Sequence, residues 1–142
     1  MFVSDILAEK GSLVFSATPQ ATVAQVAEQL STHRVGSVLV LQDNEVIGVV
    51  SERDLVRAMA RHGGAALDME AREVMTTDVV TCDPDDTIEQ VMATMTRGRF
   101  RHLPVMRHGE LLGLVSIGDV VKARLTETQV EAEALKAYIV AS

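Results

Sequence analysis

Apolar residues recur at helical spacing in two places, at Val23, Val26, Ala27 and Leu30 and again at Ile88, Val91, Met92 and Met95. Each run follows a proline that stops an extended segment, Pro19 or Pro84, and a threonine placed to cap a helix, Thr22 or Thr87. Two short apolar runs come next, predicting paired strands: Ser37–Leu41 with Val46–Val50, and Leu103–Met106 with Leu111–Val115. The polar segments Gln42–Glu45 and Arg107–Glu110, the second containing Gly109, are the turns between them. A further helix begins near Ser51 or Ser116 and runs on through Leu55, Val56 and Met59, or through Val120, Val121 and Leu125. The predicted order is β-α-β-β-α, written twice. Between the two sets, Arg61–Ala71 contains Gly63-Gly64 and few large apolar residues, and reads as a linker. Thr126–Ser142 continues as an acidic, Ala-rich helix with Val130, Leu135 and Ile139 as sparse apolar positions.

A shift of 65 residues aligns Val14–Ala58 with Val79–Ala123 without a gap, giving 14 identities in 45 positions. They include Thr22/Thr87, Gln25/Gln90, Arg34/Arg99, Gly48/Gly113, Ser51/Ser116 and Asp54/Asp119. Composition alone does not keep such pairs in register, so the chain is a duplication. A copy of about 60 residues buries little core by itself, so the two are expected to pack sheet to sheet as one unit.

The 142 residues are 47% hydrophobic and carry a formal charge of −7. That balance argues against a generic nucleic-acid binder, as does the near absence of aromatic side chains. No apolar run approaches the roughly 20 residues that span a bilayer, and Met1–Gly11 lacks the order of a secretory signal. The single Cys82 allows no internal disulfide, and a cytoplasmic location is expected. Cys82 itself reads as a small semi-buried thiol. The four histidines show no metal-ligand spacing, and Asp83, Asp85 and Asp86 read as acids complementing a helix dipole. No nucleophile with a neighbouring base and no Walker-type loop is present.

The candidate chemistry sits at the strand-to-helix junctions, Gly48-Val49-Val50-Ser51-Glu52-Arg53-Asp54 and Gly113-Leu114-Val115-Ser116-Ile117-Gly118-Asp119. A helix starting at the serine offers unpaired N–H groups and a hydroxyl to a phosphate. The aspartate, three residues on, can accept two hydroxyl hydrogen bonds, as a ribose diol supplies them. The glycine lets a ligand or another chain segment approach the strand. The plain alternative makes the serines N-caps and the aspartates ordinary first-turn acids.

Two such junctions at one internal offset, together with Arg101-His102-Leu103-Pro104-Val105, make the chain resemble a tandem pair of CBS domains, the assembly called a Bateman module. Asp5–Gly11 and Leu135–Ile139 are similar to the ends of small bacterial stand-alone CBS pairs. The resemblance implies an α+β fold with a first domain at 1–62, a linker at 63–70 and a second domain at 71–142. It further implies a non-catalytic sensor binding an adenine nucleotide in the clefts between the copies, AMP first, with ADP, ATP or NAD(H) as alternatives and no metal required. Carried over by position, copy one contributes Ser16, Val35, Gly36, Ser37, Val49, Ser51 and Asp54. Copy two contributes Thr81, Phe100, Arg101, His102, Leu103, Pro104, Leu114, Ser116 and Asp119. In this assignment the aspartates hold ribose, the serines hold phosphate, and the extended segment before the first helix and the two central strands border adenine, although the apolar members also have a plain core reading.

The copies are unequal. Arg97–His108 carries four arginines, two histidines and no acid, and Arg101 and His102 stand where copy one has Gly36 and Ser37. Arginine suits phosphate through its planar fork. Copy one compensates in part with Arg53, and Lys10 is a further phosphate candidate. One tighter and one weaker site are therefore expected. The family also implies a homodimer formed through the helices, with Leu55–Met59, Val120–Leu125 and the tail as candidate faces, and a regulated partner protein. Two other readings stand beside the sensor: an interaction module needing no ligand, and an enzyme related to inosine monophosphate dehydrogenase. The chain has no room for that enzyme's roughly 250-residue barrel and no catalytic cysteine loop.

Overall fold

A computed structural model describes residues 1–141. The elements run α1 (Val3–Lys10), β1 (Ser16–Ala17), α2 (Val23–His33), β2 (Ser37–Gln42), β3 (Glu45–Ser51) and α3 (Glu52–His62). A 3-10 helix (Gly63–Asp68) and α4 (Ala71–Val74) follow, then α5 (Ile88–Gly98), β4 (His102–Arg107), β5 (Glu110–Ser116) and α6 (Ile117–Ala141). The fold is α+β, and the chain forms two compact units.

The first unit, Val14–Val79, holds a sheet in the order β1-β2-β3. β1 runs parallel to β2, and β2 pairs antiparallel with β3 from Ser37↔Ser51 to Gln42↔Glu45. The inward-facing residues of α2, Val23, Val26 and Leu30, cluster with Val38, Val40, Val50, Leu55 and Ala71. The second unit joins Met1–Leu13 to the chain from Val80 onward. Its β4 and β5 repeat the same pairing, His102↔Ser116 to Arg107↔Glu110, with the register shift at the equivalent place, Val105/Met106 against Val40/Leu41. Ile88, Val91 and Met95 pack there with Leu103, Val105, Val115 and Val120. The expected first strand of copy two is reduced to one parallel bridge, Cys82↔Val105. Cys82 is buried rather than half-buried, and burial, then the charges of Asp86 and Asp83, push its thiol up to about 12.

Several identities of the repeat have local causes. Thr22 Oγ1 accepts from the Gln25 N–H at 3.1 Å while Gln25 Oε1 accepts from the Thr22 N–H at 2.9 Å. Thr87 and Gln90 make the same reciprocal cap at 3.1 and 2.8 Å, so each helix start satisfies two otherwise orphaned donors. Arg34 and Arg99 end their helices in the left-handed region, with φ of 54° and 58°. The hairpin turns place Asp43-Asn44 and His108-Gly109 at positive φ, as two-residue turns matched to the strand twist require.

The compact units do not follow the bounds 1–62, 63–70 and 71–142 that the resemblance implies. The N-terminal helix α1 buries Val3 and Ile6 in the second unit's core, because a short amphipathic helix folds where its apolar face finds cover. Residues 63–70 are not a free linker: the segment winds into the 3-10 helix, buries Ala66 completely and leads to Ala71 in the first unit's core. Ala66 and Ala71 are small enough to sit fully buried there, while Gly63 and Gly64 face open space. The Asp83–Asp86 cluster lies before the Thr87 cap rather than in the helix. Its acids are held by Arg107, which pairs with Asp83 at 3.0 Å and with Asp85, and by the Asp83 N–H donating to Asp86 Oδ2 at 2.9 Å.

Candidate functional site

In the first unit, β3 passes into α3 through Ser51. Its N–H and its hydroxyl both donate to Asp54 Oδ2, at 2.8 and 3.1 Å. Asp54 is only 6% exposed, and Oδ1 accepts from Thr76 Oγ1 at 3.1 Å with Arg57 Nη1 at 3.9 Å. The carboxylate is thus enclosed by donors from its own unit. Beside it lies a cleft of about 220 Å³ lined by Asp54, Arg57, Arg61, His62, Glu73 and Thr76 among others. Ser37 stands opposite Ser51 across the β2–β3 pair; it is 3% exposed, and its hydroxyl has no hydrogen-bond partner among the described residues.

The second unit builds the same junction differently. The Ser116 N–H donates to Asp119 Oδ2 at 2.9 Å, and the Asp119 N–H donates back to Ser116 Oγ at 3.1 Å. Lys10, in the last turn of α1, donates to Asp119 Oδ2 at 2.7 Å and to the Leu114 carbonyl at 3.0 Å. Both donors act on Oδ2, and Oδ1 accepts from none of the described residues. Burial acts to raise the Asp119 carboxyl, but the hydrogen bond and charge of Lys10 and the bonds from Ser116 outweigh it, holding the group below the usual carboxylate range.

Both serines therefore cap their helices, and the plain reading of the junction is realised in full. It does not exhaust the site, because Asp119 keeps an acceptor oxygen that Asp54 has already committed. The helix ends offer fewer N–H groups than the sequence suggests. The Ile117 N–H donates to the Arg101 carbonyl at 2.8 Å and the Glu52 N–H to the Gly36 carbonyl at 3.0 Å. With the aspartate N–H bound to the serine, the Gly118 N–H is what α6 leaves for an anion in its first turn.

The junction glycines make room for chain, not ligand. A Cβ on Gly113 falls 2.7 Å from Leu7 Cδ2 of α1; one on Gly48 overlaps Met75 Sδ and comes 3.1 Å from the Thr76 carbonyl. Leu7 and Lys10 in one unit, and Met75 and Thr76 in the other, belong to the arms that pack each junction. Sequence reasoning missed Thr76 and Arg57 and gave Lys10 a phosphate rather than Asp119. The aligned repeat begins at Val14/Val79, downstream of both arms, so no identity pointed to them.

The remaining predicted residues fall as follows. Arg101 is exposed, and His102 is half-buried at the head of β4, opposite Ser116. Arg53 is exposed on the first turn of α3. Val49 and Leu114 are half-buried in the strands entering the two junctions, and Gly36 lies where α3 begins. Ser16 and Thr81 are exposed in the extended segments before the first helix of each copy. Leu103 and Pro104 are buried in β4, and Phe100 and Val35 pack against their units' cores. These last four have structural work, whatever else they border. Among the described residues, no group of three or more His, Cys, Asp or Glu is placed to hold a metal ion, and no helix is long and apolar enough to cross a membrane.

The CBS-domain family profile matches residues 4–61 and 71–126. The mitochondrial CBS domain-containing protein CBSX3 of Arabidopsis thaliana is 31% identical over 146 aligned positions, covering 96% of this chain and 71% of that protein. The crystal structure of the CBS-domain containing protein ATU1752 from Agrobacterium tumefaciens is 44% identical, with a TM-score of 0.85, covering 87% of this chain and 99% of that one. The CBS domain pair of protein MJ0100, solved with 5-methylthioadenosine and S-adenosyl-L-methionine, shares the fold at 21% identity and a TM-score of 0.77, covering 91% of this chain and 98% of that one. Its duplicated junctions, its α+β units and these likenesses place the chain in the CBS-domain family, as a tandem pair.

Proposed function

We propose that the protein is a non-catalytic regulatory module that binds an adenine nucleotide, AMP first, with ADP, ATP and NAD(H) as alternatives, chiefly at the Ser116–Asp119 junction. The carrying observation is the Asp119 carboxylate, ionised and held by Lys10 and Ser116 through one oxygen while the other accepts from no described residue. A ribose hydroxyl is the donor this oxygen suits. Phosphate falls to Ser116 Oγ, the Gly118 N–H and the exposed guanidinium of Arg101, with His102 beside them. An adenosine-ligand complex of a chain with the same fold supports the ligand class. Ser51, Asp54 and Arg53 form the weaker counterpart, where the buried Ser37 hydroxyl has no hydrogen-bond partner among the described residues.

Binding regulates only if the ligand favours one arrangement of the module over another. In this proposal the module is a homodimer through its helices and acts on a partner protein. The exposed Val56 and Met59 on α3 favour that surface and also support the second reading, an interaction module that works without ligand. Titration calorimetry with AMP separates the two. Asp119→Asn keeps the acceptor for the Ser116 N–H but removes the charge, and is expected to weaken AMP roughly 10- to 100-fold, the scale of a lost charged hydrogen bond. Affinity equal to that of the unmodified protein refutes the site, and no binding of AMP, ADP, ATP or NAD(H) by either protein refutes the sensor.

A further inference from the structure

The last helix carries a seam that nothing in its own fold covers. The face of α6 that meets the second unit includes Val120 and Ala123, both buried. A separate stripe holds Val121, Leu125, Thr128, Ala132, Leu135 and Ile139, at spacings of four, three, four, three and four residues. That is an unbroken heptad seam, with Leu125, Ala132 and Ile139 at a positions and Val121, Thr128 and Leu135 at d. All six are exposed; Val121 at 43%, Leu125 at 66%, Leu135 at 59% and Ile139 at 64% are large apolar side chains in that state. On a 3.6-residue helix the stripe stands about 130° around the axis from the buried face, so a second helix has access to it while the first face stays packed.

We infer that this seam pairs with the same seam of a second copy, as a short parallel two-stranded coiled coil. The charges flanking it select both partner and direction. Glu131 occupies a g position and Lys136 the e position five residues on. In a parallel pair, g of one helix faces e of the next heptad in the other, so the two-fold axis creates the Glu131–Lys136 pair twice. An antiparallel pair centred on the same seam sets g against g and e against e, placing Glu131 beside its own copy and Lys122 beside Lys136. The seam is weak at Thr128 and Ala132 and only about three heptads long, so this inference rests on the homodimer reading above for the further contacts that hold the pair together.

The test uses the full chain carrying Leu135→Cys, oxidised with glutathione disulfide and followed on a non-reducing gel. Parallel pairing brings the two new thiols together at a d position, and the native Cys82 is buried and held as the protonated thiol. A disulfide-linked dimer is expected as the major species. Lys136→Glu in the same background is expected to lower the yield at least fivefold, and Glu131→Lys with Lys136→Glu to restore it. Absence of the link in protein that light scattering finds dimeric overturns the inference, as does a monomer at all concentrations or a link indifferent to the charge swaps. AMP affinity, measured separately on each variant, is expected to be unchanged, so loss of the seam and loss of the nucleotide site are told apart.

Discussion

The two junctions begin from the same seven-residue grammar and end as different sites. In the first unit, Asp54 is buried and accepts from Ser51 and Thr76 through both oxygens. In the second, Asp119 is more open, takes Ser116 and Lys10 through one oxygen, and gains a neighbouring positive charge. The motif residues do not make this difference. The arms do: Met75-Thr76 supplies an apolar side chain and a hydroxyl where Lys10-Gly11 supplies an ammonium and no side chain. One duplicated junction has become mostly a structural clasp, while in the other Asp119 Oδ1 accepts from none of the described residues. A conserved-looking pair of residues thus says where a site can exist, and the segment packed on it says whether it is occupied by the protein itself.

Substitutions that separate the clasp from the open site follow from this contrast. Asp54→Ala leaves the buried donors of Ser51 and Thr76 without their acceptor and is expected to cost about 2–3 kcal/mol, against about 1 kcal/mol for Asp119→Ala. Equal losses of stability in chemical denaturation would show that the two carboxylates are alike after all. Gly48→Ala comes next, at about 1–3 kcal/mol, because the new Cβ meets both the Met75 side chain and the Thr76 backbone carbonyl; Gly113→Ala meets only the movable end of Leu7 and is expected to cost less. Melting temperatures that rank the glycines the other way contradict this account of the arms.

Thr22→Ala and Thr87→Ala serve as the control, since their caps are the same in both copies; each is expected to cost about 1 kcal/mol. Lys10→Met has the smallest effect on stability, within the 0.2–1 kcal/mol of an exposed ion pair, and shows only above the acid range. The folded Asp119 carboxyl lies below its unfolded value of about 3.9, so its contribution is present above about pH 4 and is lost as pH falls through the folded value. The stabilities of Lys10→Met and the parent protein are therefore expected to converge in strong acid, and the Asp119 carboxyl resonance of the variant to titrate at higher pH. A titration unmoved by the substitution would remove Lys10 from the site.

Much of this molecule was legible before folding, for identifiable reasons. The helices α2 and α5 declared themselves through the spacing of Val23, Val26 and Leu30, or of Ile88, Val91 and Met95, because each packs one apolar stripe on its own sheet. The hairpins were readable from apolar runs around polar turns, and the junctions from Gly, Ser and Asp at one offset. The first strand of copy two was over-read: Thr81 and Cys82 lie in extended chain but share only one bridge with β4. Residues 63–70 were under-read, since small residues signal either slack chain or close packing and composition does not distinguish them.

Sequence by itself determined the duplication, the local elements and their caps, and the place of each strand-to-helix turn, because these depend on periodicity and on groups three or four residues apart. Tertiary structure alone decided which arm covers which junction, and hence that Asp54 is closed by Thr76 while Asp119 is tethered by Lys10 across more than a hundred residues of chain. Partners so distant leave no local pattern. They are chosen by where the apolar faces of two short helices, Val3–Lys10 and Ala71–Val74, find a core to cover.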